Sequence, residues 1–259
     1  MPSDKSARAI PTIEPKLDEP WVVLANGNDL ADWNHDDEII RNQIVRQEAK
    51  VWFFRQAFGF FTGNQIVGDY YEFGCHRCRT FRMALTEARY HNLSDMKFYA
   101  FDSFEGLPEP ISSPHLNIWR KGALKTSIED FRSMIVQHGI YVDNTEITKG
   151  FYNDILTPDL QQKMLATGRR IAVATVDCDL YESAVPVLKF IEPLLQEGSV
   201  IYMDDLFGGY KGNPTRGVAR AFQEWQSFSK WKVVRYLDVG MFGRSYICYK
   251  PEISLCGVV

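Results

Sequence analysis

The chain has 259 residues, enough for one large α/β domain with a small elaboration. Apolar residues make up 45% and charged residues 24%, a composition that can bury a sizeable core. The net charge of −4 offers no broad basic field for nucleic acid, and no apolar run reaches the roughly 18 residues that cross a bilayer.

The first thirty residues carry Asp4, Lys5, Arg8, Glu14, Lys16, Asp18 and Glu19 without an apolar stretch. The expectation is a chain with no signal peptide that works in the cytoplasm. Residues 1–35 read as an arm with a short apolar anchor at Trp21, Val22, Val23 and Leu24. From Asp36 to Phe61 apolar residues recur at three- and four-residue spacings, which predicts a helix. Together, residues 1–65 form a helical extension that acts as lid or subunit interface, and residues 66–259 form the main domain.

After Asp69 strands and helices alternate. Tyr70–Phe73 and Lys97–Phe101 read as strands, with the helix Thr80–His91 between them. Pro108–Gly122 is a long proline-bearing loop, long enough to suggest a lid. Thr126 and Glu129 form a capping box that opens a helix running to about His138. Strands follow at Thr145–Thr148, at Arg170–Val176, where I-A-V-A-T-V reads as a strand buried on both faces, and at Ser199–Met203. Helices occupy the stretch from Ala184 to Leu195, closed by Pro193, and Thr215–Phe228. Lys232–Leu237 and Phe242–Tyr249 read as a closing antiparallel pair. The result is a seven-stranded, mostly parallel sheet with helices on both faces and a hairpin at one edge.

In such a sheet ligands bind beyond the carboxyl ends of the strands. The residues at those ends are Glu72 and Gly74, Asp102 and Ser103, Gly150 and Phe151, Asp177, and Asp204 with Asp205. Gly74 stands alone in its turn, so no glycine-rich pyrophosphate cradle is present and a smaller ligand is expected. Asp102 is placed to accept hydrogen bonds from the ribose of an adenosine ligand. Asp177, Asp204 and Asp205 end two strands that, as neighbours, would bring three carboxylates to one spot. A hard divalent cation such as Mg²⁺ relieves their repulsion. Asp179 reads instead as a helix cap. Of the five cysteines, Cys75 and Cys78 form a lone C-x-x-C without further metal ligands; all five read as small buried residues. His76, His115 and His138 read as structural or exposed.

The blocks Y-E-F-G-C, A-F-D-S-F-E-G-L-P-E-P, K-G-F-Y-N-D-I-L, V-D-C-D-L-Y-E-S and Y-M-D-D-L-F-G-G-Y resemble the macrocin O-methyltransferase family over residues 68–226. That resemblance implies a Rossmann-like class I methyltransferase fold and metal-dependent methylation of sugar hydroxyls. It implies S-adenosylmethionine held by Glu72, Gly74, Cys75, Asp102 and Ser103, with Ser127, Gly150 and Phe151 near the adenine. It implies Mg²⁺ on Asp177, Asp204 and Asp205, with Asp177 also the base. The acceptor would be a sugar or glycosylated small molecule, and a homo-oligomer is expected. Cys78 stands where the family often has glycine, and Cys178 replaces the usual glycine between the two aspartates. Tyr210, Lys211 and Arg216 follow the metal aspartates and are candidates for touching the acceptor. Three alternatives remain open at this stage. They are a glycosyltransferase using Asp177-Cys178-Asp179 as a D-x-D motif, a metal-free phenol methyltransferase, and a non-catalytic adenosyl-ligand module.

Overall fold

The computed structural model describes residues 27–111 and 119–251. The predicted anchor Trp21–Leu24, the loop residues Pro114 and His115, and Cys256 lie outside them. The chain divides into two compact units, residues 1–42 and 43–259.

Residues 27–42 of the first unit form a turn and the start of helix α1 (His35–Gly63). Asn34 caps that helix: its side-chain oxygen accepts from the Asp36 amide at 2.8 Å, while its own N–H donates to Asp37 Oδ2 at 3.1 Å. The reciprocal pair satisfies amides that the first turn leaves without partners.

In the second unit the strands are β1 (Asp69–Phe73), β2 (Phe98–Asp102), β3 (Thr145–Lys149), β4 (Ile171–Val176), β5 (Leu195–Met203), β6 (Lys232–Val239) and β7 (Gly243–Tyr249). They form one sheet in the order β3-β2-β1-β4-β5-β7-β6. The first five are parallel, and β7 runs antiparallel to both β5 and β6. The predicted sheet and terminal hairpin are therefore present. The helices are the remainder of α1, then α2 (Arg79–Tyr90), α3 (Ile128–His138), α4 (Tyr152–Ile155), α5 (Pro158–Ala166), α6 (Tyr181–Ile191) and α7 (Gly217–Phe228).

Two apolar cores lie on opposite faces, because successive strand residues point to opposite sides. Tyr71, Phe73, Ala174, Val176 and Met203 pack with α6 and α7. Tyr70, Phe98, Ala100, Val173 and Tyr202 pack with α2, α3 and the α1 residues Phe53, Phe54, Phe58 and Phe61. Burial on both faces is why β4 reads I-A-V-A-T-V, an apolar run rather than an alternation; β1 is equally buried but carries Asp69 and Glu72 within it.

Three readings are corrected. The cap of α3 is Ser127, whose hydroxyl accepts from the Asp130 amide at 3.0 Å, and not Thr126, whose hydroxyl accepts from the Arg77 amide. The N-cap of α6 is Leu180, so Asp179 is not a helix cap. β5 begins at Leu195, four residues before the predicted start, because the polar Gln196-Glu197-Gly198 stretch hides its first turns. Among the described residues no helix is long and apolar enough to cross a membrane.

Candidate functional site

The sheet order reverses between β1 and β4: the chain runs outward from β1 through β2 to β3, then returns to β4 on the other side. The crevice at such a switch point, beyond the carboxyl ends, is where open α/β sheets bind ligands. Gly74 stands at its base with a positive φ of 93°, and a Cβ there would collide with the Asp177 carbonyl. Glycine is thus required for the ends of β1 and β4 to meet.

On the β1–β2 side the loops are tied together by Asp102. Its Oδ2 accepts from the Cys75 amide at 2.7 Å and its Oδ1 from the Phe104 amide at 2.6 Å. Its carbonyl accepts from the Gly150 amide at 2.9 Å. The Ser103 hydroxyl donates to the Gly106 carbonyl at 2.7 Å and holds the turn after β2. Burial raises Asp102 above the ordinary carboxylate range, although both amide donors oppose it. The turn after β1 reaches the start of α3 through the bond from the Arg77 amide to Thr126, next to Ser127. Phe151 follows Gly150 and is 36% exposed. Gly74, Cys75, Asp102, Ser103, Ser127, Gly150 and Phe151 therefore lie along linked loops.

Glu72 sits differently. Its side chain is fully buried and both oxygens are taken, one by the Tyr70 hydroxyl and the other by Thr80 Oγ1 at 2.8 Å. It ties β1 to the first turn of α2 from inside the core. Burial pushes its pKa up to about 8, against the two hydroxyl donors.

On the β4–β5 side four aspartates converge. Ligand oxygens of Asp177, Asp179 and Asp205 lie within 4.8 Å of one another. Asp179 enters this group because it adopts a left-handed conformation, φ 60°, in the tight turn before α6. Aspartate tolerates that region better than most residues. Burial and mutual repulsion raise Asp177, Asp179 and Asp205 above the usual carboxylate range. Asp205 is 6% exposed and its Oδ2 has no hydrogen-bond partner. A buried carboxylate oxygen left bare is costly unless a cation meets it.

Asp204 has other partners. Its Oδ1 accepts from the Tyr202 hydroxyl, and its Oδ2 lies 2.9 Å from Lys50 Nζ and 3.7 Å from Arg46. Burial would raise Asp204, but Lys50, Tyr202 and Arg46 together hold it below the ordinary range. Lys50 also lies 3.3 Å from Asp177 Oδ2. The sequence grouped Asp204 with Asp177 and Asp205; the third member of the triad is Asp179. Lys50 and Arg46 went unnoticed in the sequence. The signal for Lys50 was there: it shares a helix face with Phe53, Phe54, Ala57 and Phe58, an apolar stripe where a charge needs a buried partner. Of the acceptor candidates, Tyr210 is buried in a small cluster with Trp119 and Leu180, whereas Lys211 and Arg216 are exposed. Trp119 covers the glycine turn after Asp205: a Cβ on Gly209 would strike its ring.

The chain matches the macrocin O-methyltransferase family over residues 47–232. It is 28% identical over 147 residues to 8-demethyl-8-(2,3-dimethoxy-alpha-L-rhamnosyl)-tetracenomycin-C 4'-O-methyltransferase of Streptomyces olivaceus, which covers 54% of this chain and 53% of that protein. The chain thus spans about half the length of that relative. It is 24% identical over 193 residues to demethyldecarbamoylnovobiocin O-methyltransferase of Streptomyces niveus, covering 67% of this chain and 71% of that protein. Its fold is similar to the solved structure of the O-methyltransferase NovP, with a TM-score of 0.61 at 21% identity over 77% of this chain and 79% of that one. Family membership sets aside the glycosyltransferase reading of Asp177-Cys178-Asp179. The chain belongs to the macrocin O-methyltransferase family.

Proposed function

We infer that this protein transfers the methyl group of S-adenosylmethionine to a hydroxyl of a sugar or glycosylated small molecule, assisted by a divalent cation. The observation that carries the reading is the pairing of two half-sites at one switch point. The linked loops after β1, β2 and β3 stand on one side, and the Asp177–Asp179–Asp205 triad with its bare Asp205 oxygen on the other. The glycosylated acceptors named for the tetracenomycin relative support the acceptor class.

The donor set fits both groups. The triad consists of oxygen ligands only, which suits a hard ion such as Mg²⁺. Asp102 would meet the ribose through the lone pairs that the Cys75 and Phe104 amides leave free, and Gly150 and Phe151 would flank the adenine. When bound, S-adenosylmethionine supplies a sulfonium methyl already activated for displacement, and a divalent cation lowers the pKa of the acceptor hydroxyl. The chain's residues do the remainder. Asp102 fixes the turn after β1 through the Cys75 amide, and with it the floor of the donor site. Glu72 supports that turn from below rather than touching the ligand. Asp177 lies at the boundary between donor and acceptor sides, and its raised proton affinity suits it to accept the hydroxyl proton. Asp179 and Asp205 would hold the cation together with Asp177 and so help to orient the acceptor; orientation alone contributes several kcal/mol to such reactions.

The test is turnover with labelled S-adenosylmethionine and a panel of glycosides. EDTA should stop transfer and added Mg²⁺ restore it. Asp205→Asn should abolish turnover while leaving S-adenosylmethionine binding largely intact. Transfer that survives EDTA unchanged would show that the cation has no part in it.

A further inference from the structure

Besides the two cores that cover the sheet, a third apolar cluster is built from loops. It contains Trp119, Leu180 and Tyr210, with Leu107 and Leu124 packed against them. Leu107, Trp119 and Leu124 come from the loop after β2, Leu180 from the turn after β4, and Tyr210 from the turn after β5. The cluster therefore joins a loop of the donor side to both turns that carry the acidic residues. Trp119 is its largest member, 5% exposed, with its ring centroid 6.4 Å from that of Tyr210. Burying an indole removes a large apolar area from water, so this contact fastens the loop to the turns.

Two glycines shape the far side of the contact. Gly209 has a φ of 73°, and a Cβ on it would fall inside the Trp119 ring. A Cβ on Gly208 would lie 3.1 Å from that ring and 3.2 Å from Asp205 Oδ1, so the indole edge and the carboxylate flank the same stretch of backbone. The Gly208 amide donates to the Asp205 carbonyl at 3.1 Å, which makes Gly208 part of the turn that sets Asp205. On the near side the loop is closed by a neck. The Leu107 amide donates to the Ala123 carbonyl, and the Gly122 amide to the Leu107 carbonyl, each at 2.9 Å. Asp102 holds the start of that loop through the Phe104 amide, and the Ser103 hydroxyl holds it through the Gly106 carbonyl. Packed side chains and hydrogen bonds thus lead without a gap from Asp102, through the neck and Trp119, to Asp205, and such a run can carry coupling between two sites.

On the reading of the donor loops as the S-adenosylmethionine site and of the acidic cluster as a cation site, we propose that Trp119 is a positioning residue that couples the two. A ligand on the donor loops steadies the neck, seats the indole on Gly208 and Gly209, and so presets the Asp205 turn for a cation. Sites coupled in this way change each other's affinity by the same factor. Order imposed by the first ligand need not be imposed again by the second, which makes the coupling positive. A tryptophan of purely structural value would alter stability, but not the factor that links the two affinities.

The experiment is calorimetric titration of Mn²⁺ into the full chain, with and without saturating S-adenosylhomocysteine. That ligand lacks the sulfonium charge of the methyl donor, so direct repulsion of the metal ion does not mask the coupling. In the wild type it should tighten Mn²⁺ binding about fivefold or more. Trp119→Leu keeps an apolar side chain in the cluster but does not reach across the turn. It should bind Mn²⁺ alone within about threefold of the wild type, with the tightening reduced to less than about twofold. Trp119→Phe, which keeps a ring over Gly209, should retain most of the tightening. If Trp119→Leu does not fold, Gly209→Ala decides, because its Cβ pushes the ring off the turn and should also abolish the tightening. A wild type that binds both ligands, with Mn²⁺ affinity unchanged or weakened by S-adenosylhomocysteine, would overturn the coupling and leave both site readings standing. Tightening that persists in Trp119→Leu or Gly209→Ala would show that it does not pass through Trp119. Loss of Mn²⁺ binding by Trp119→Leu in both states would make the indole a prop of the turn and contradict the coupling. A wild type that takes Mn²⁺ only in the presence of S-adenosylhomocysteine would support it in its strongest form. If the wild type fails to bind one of the two ligands in either state, the reading of that site falls and the coupling falls with it.

Discussion

Glu72 illustrates how a residue located from the sequence can have side-chain partners that the sequence does not show. Its place at the end of β1 follows from the apolar run around it, but which way its side chain points depends on β1 being covered on both faces. The structure turns it inward, onto Tyr70 and Thr80. That has a measurable consequence. Its pKa in the fold is about 8, against an ordinary value of 4.5. Between those values the folded chain keeps a proton that the unfolded chain has released, so the stability tied to this group falls as pH rises through the window. Glutamine matches the protonated carboxyl in shape and does not ionise. Glu72→Gln should therefore equal the wild type in urea midpoint near pH 5 and exceed it near pH 8. Parallel pH profiles for the two proteins would contradict this placement. Asp179 teaches a related lesson. The motif D-C-D-L-Y-E-S is compatible with a helix cap, and only the left-handed turn at Asp179 shows that its carboxylate joins the triad. Local sequence does not distinguish a cap from a ligand when both sit just before a helix.

Among the elements, the long periodic ones were legible and the short ones were not. β1 to β4 and helices α2, α3 and α7 stand within two residues of their predicted ends, whereas α6 ends at Ile191, four residues before the predicted Leu195, because Leu194 and Leu195 extend its apolar pattern into the start of β5. Helices α4 and α5 were missed between Phe151 and Arg169. α4 is one turn, too short to show a period. α5 did carry a signal: Thr157 accepts from the Leu160 amide at 3.2 Å, and Pro158 occupies the first helical position. At the amino ends of the strands, opposite the site, one ion pair fastens β1 to the segment before β4. Arg169 Nε donates to both oxygens of Asp69, at 2.9 and 2.7 Å, and the Lys97 amide donates to Oδ1 at 2.9 Å. Asp69 is completely buried, so Arg169→Met leaves a carboxylate with only its amide partner. The loss should be about 3 kcal/mol, read from denaturant midpoints, because removing one partner strands a buried charge. S-adenosylmethionine affinity should hardly change, since this pair lies at the far end of β1. A variant with wild-type stability would show that the pair contributes little.

At the scale of the whole molecule the sheet carries two groups of loops at its carboxyl ends. The strands on the β1–β2–β3 side end in loops joined through Asp102, and the strands on the β4–β5 side end in the acidic cluster. Gly74 lets the two halves meet, with the Asp177 backbone against it. The alternation of strands and helices already implied this arrangement, and the residues at successive strand ends pointed to both groups of loops. The part played by α1 was not readable in the same way. Lys50 lies 127 residues from Asp177 and 154 from Asp204, and no local pattern announces a contact across such a distance. Only its charge on an apolar face hinted that it needed a buried partner. The most direct test of the central claim is calorimetric titration of S-adenosylmethionine into the full chain. One molecule should bind with a dissociation constant on the order of micromolar, and Asp102→Ala should weaken it about tenfold or more, as expected for a charged hydrogen-bonding group. A wild-type chain that folds but takes up no S-adenosylmethionine would contradict the methyltransferase assignment itself.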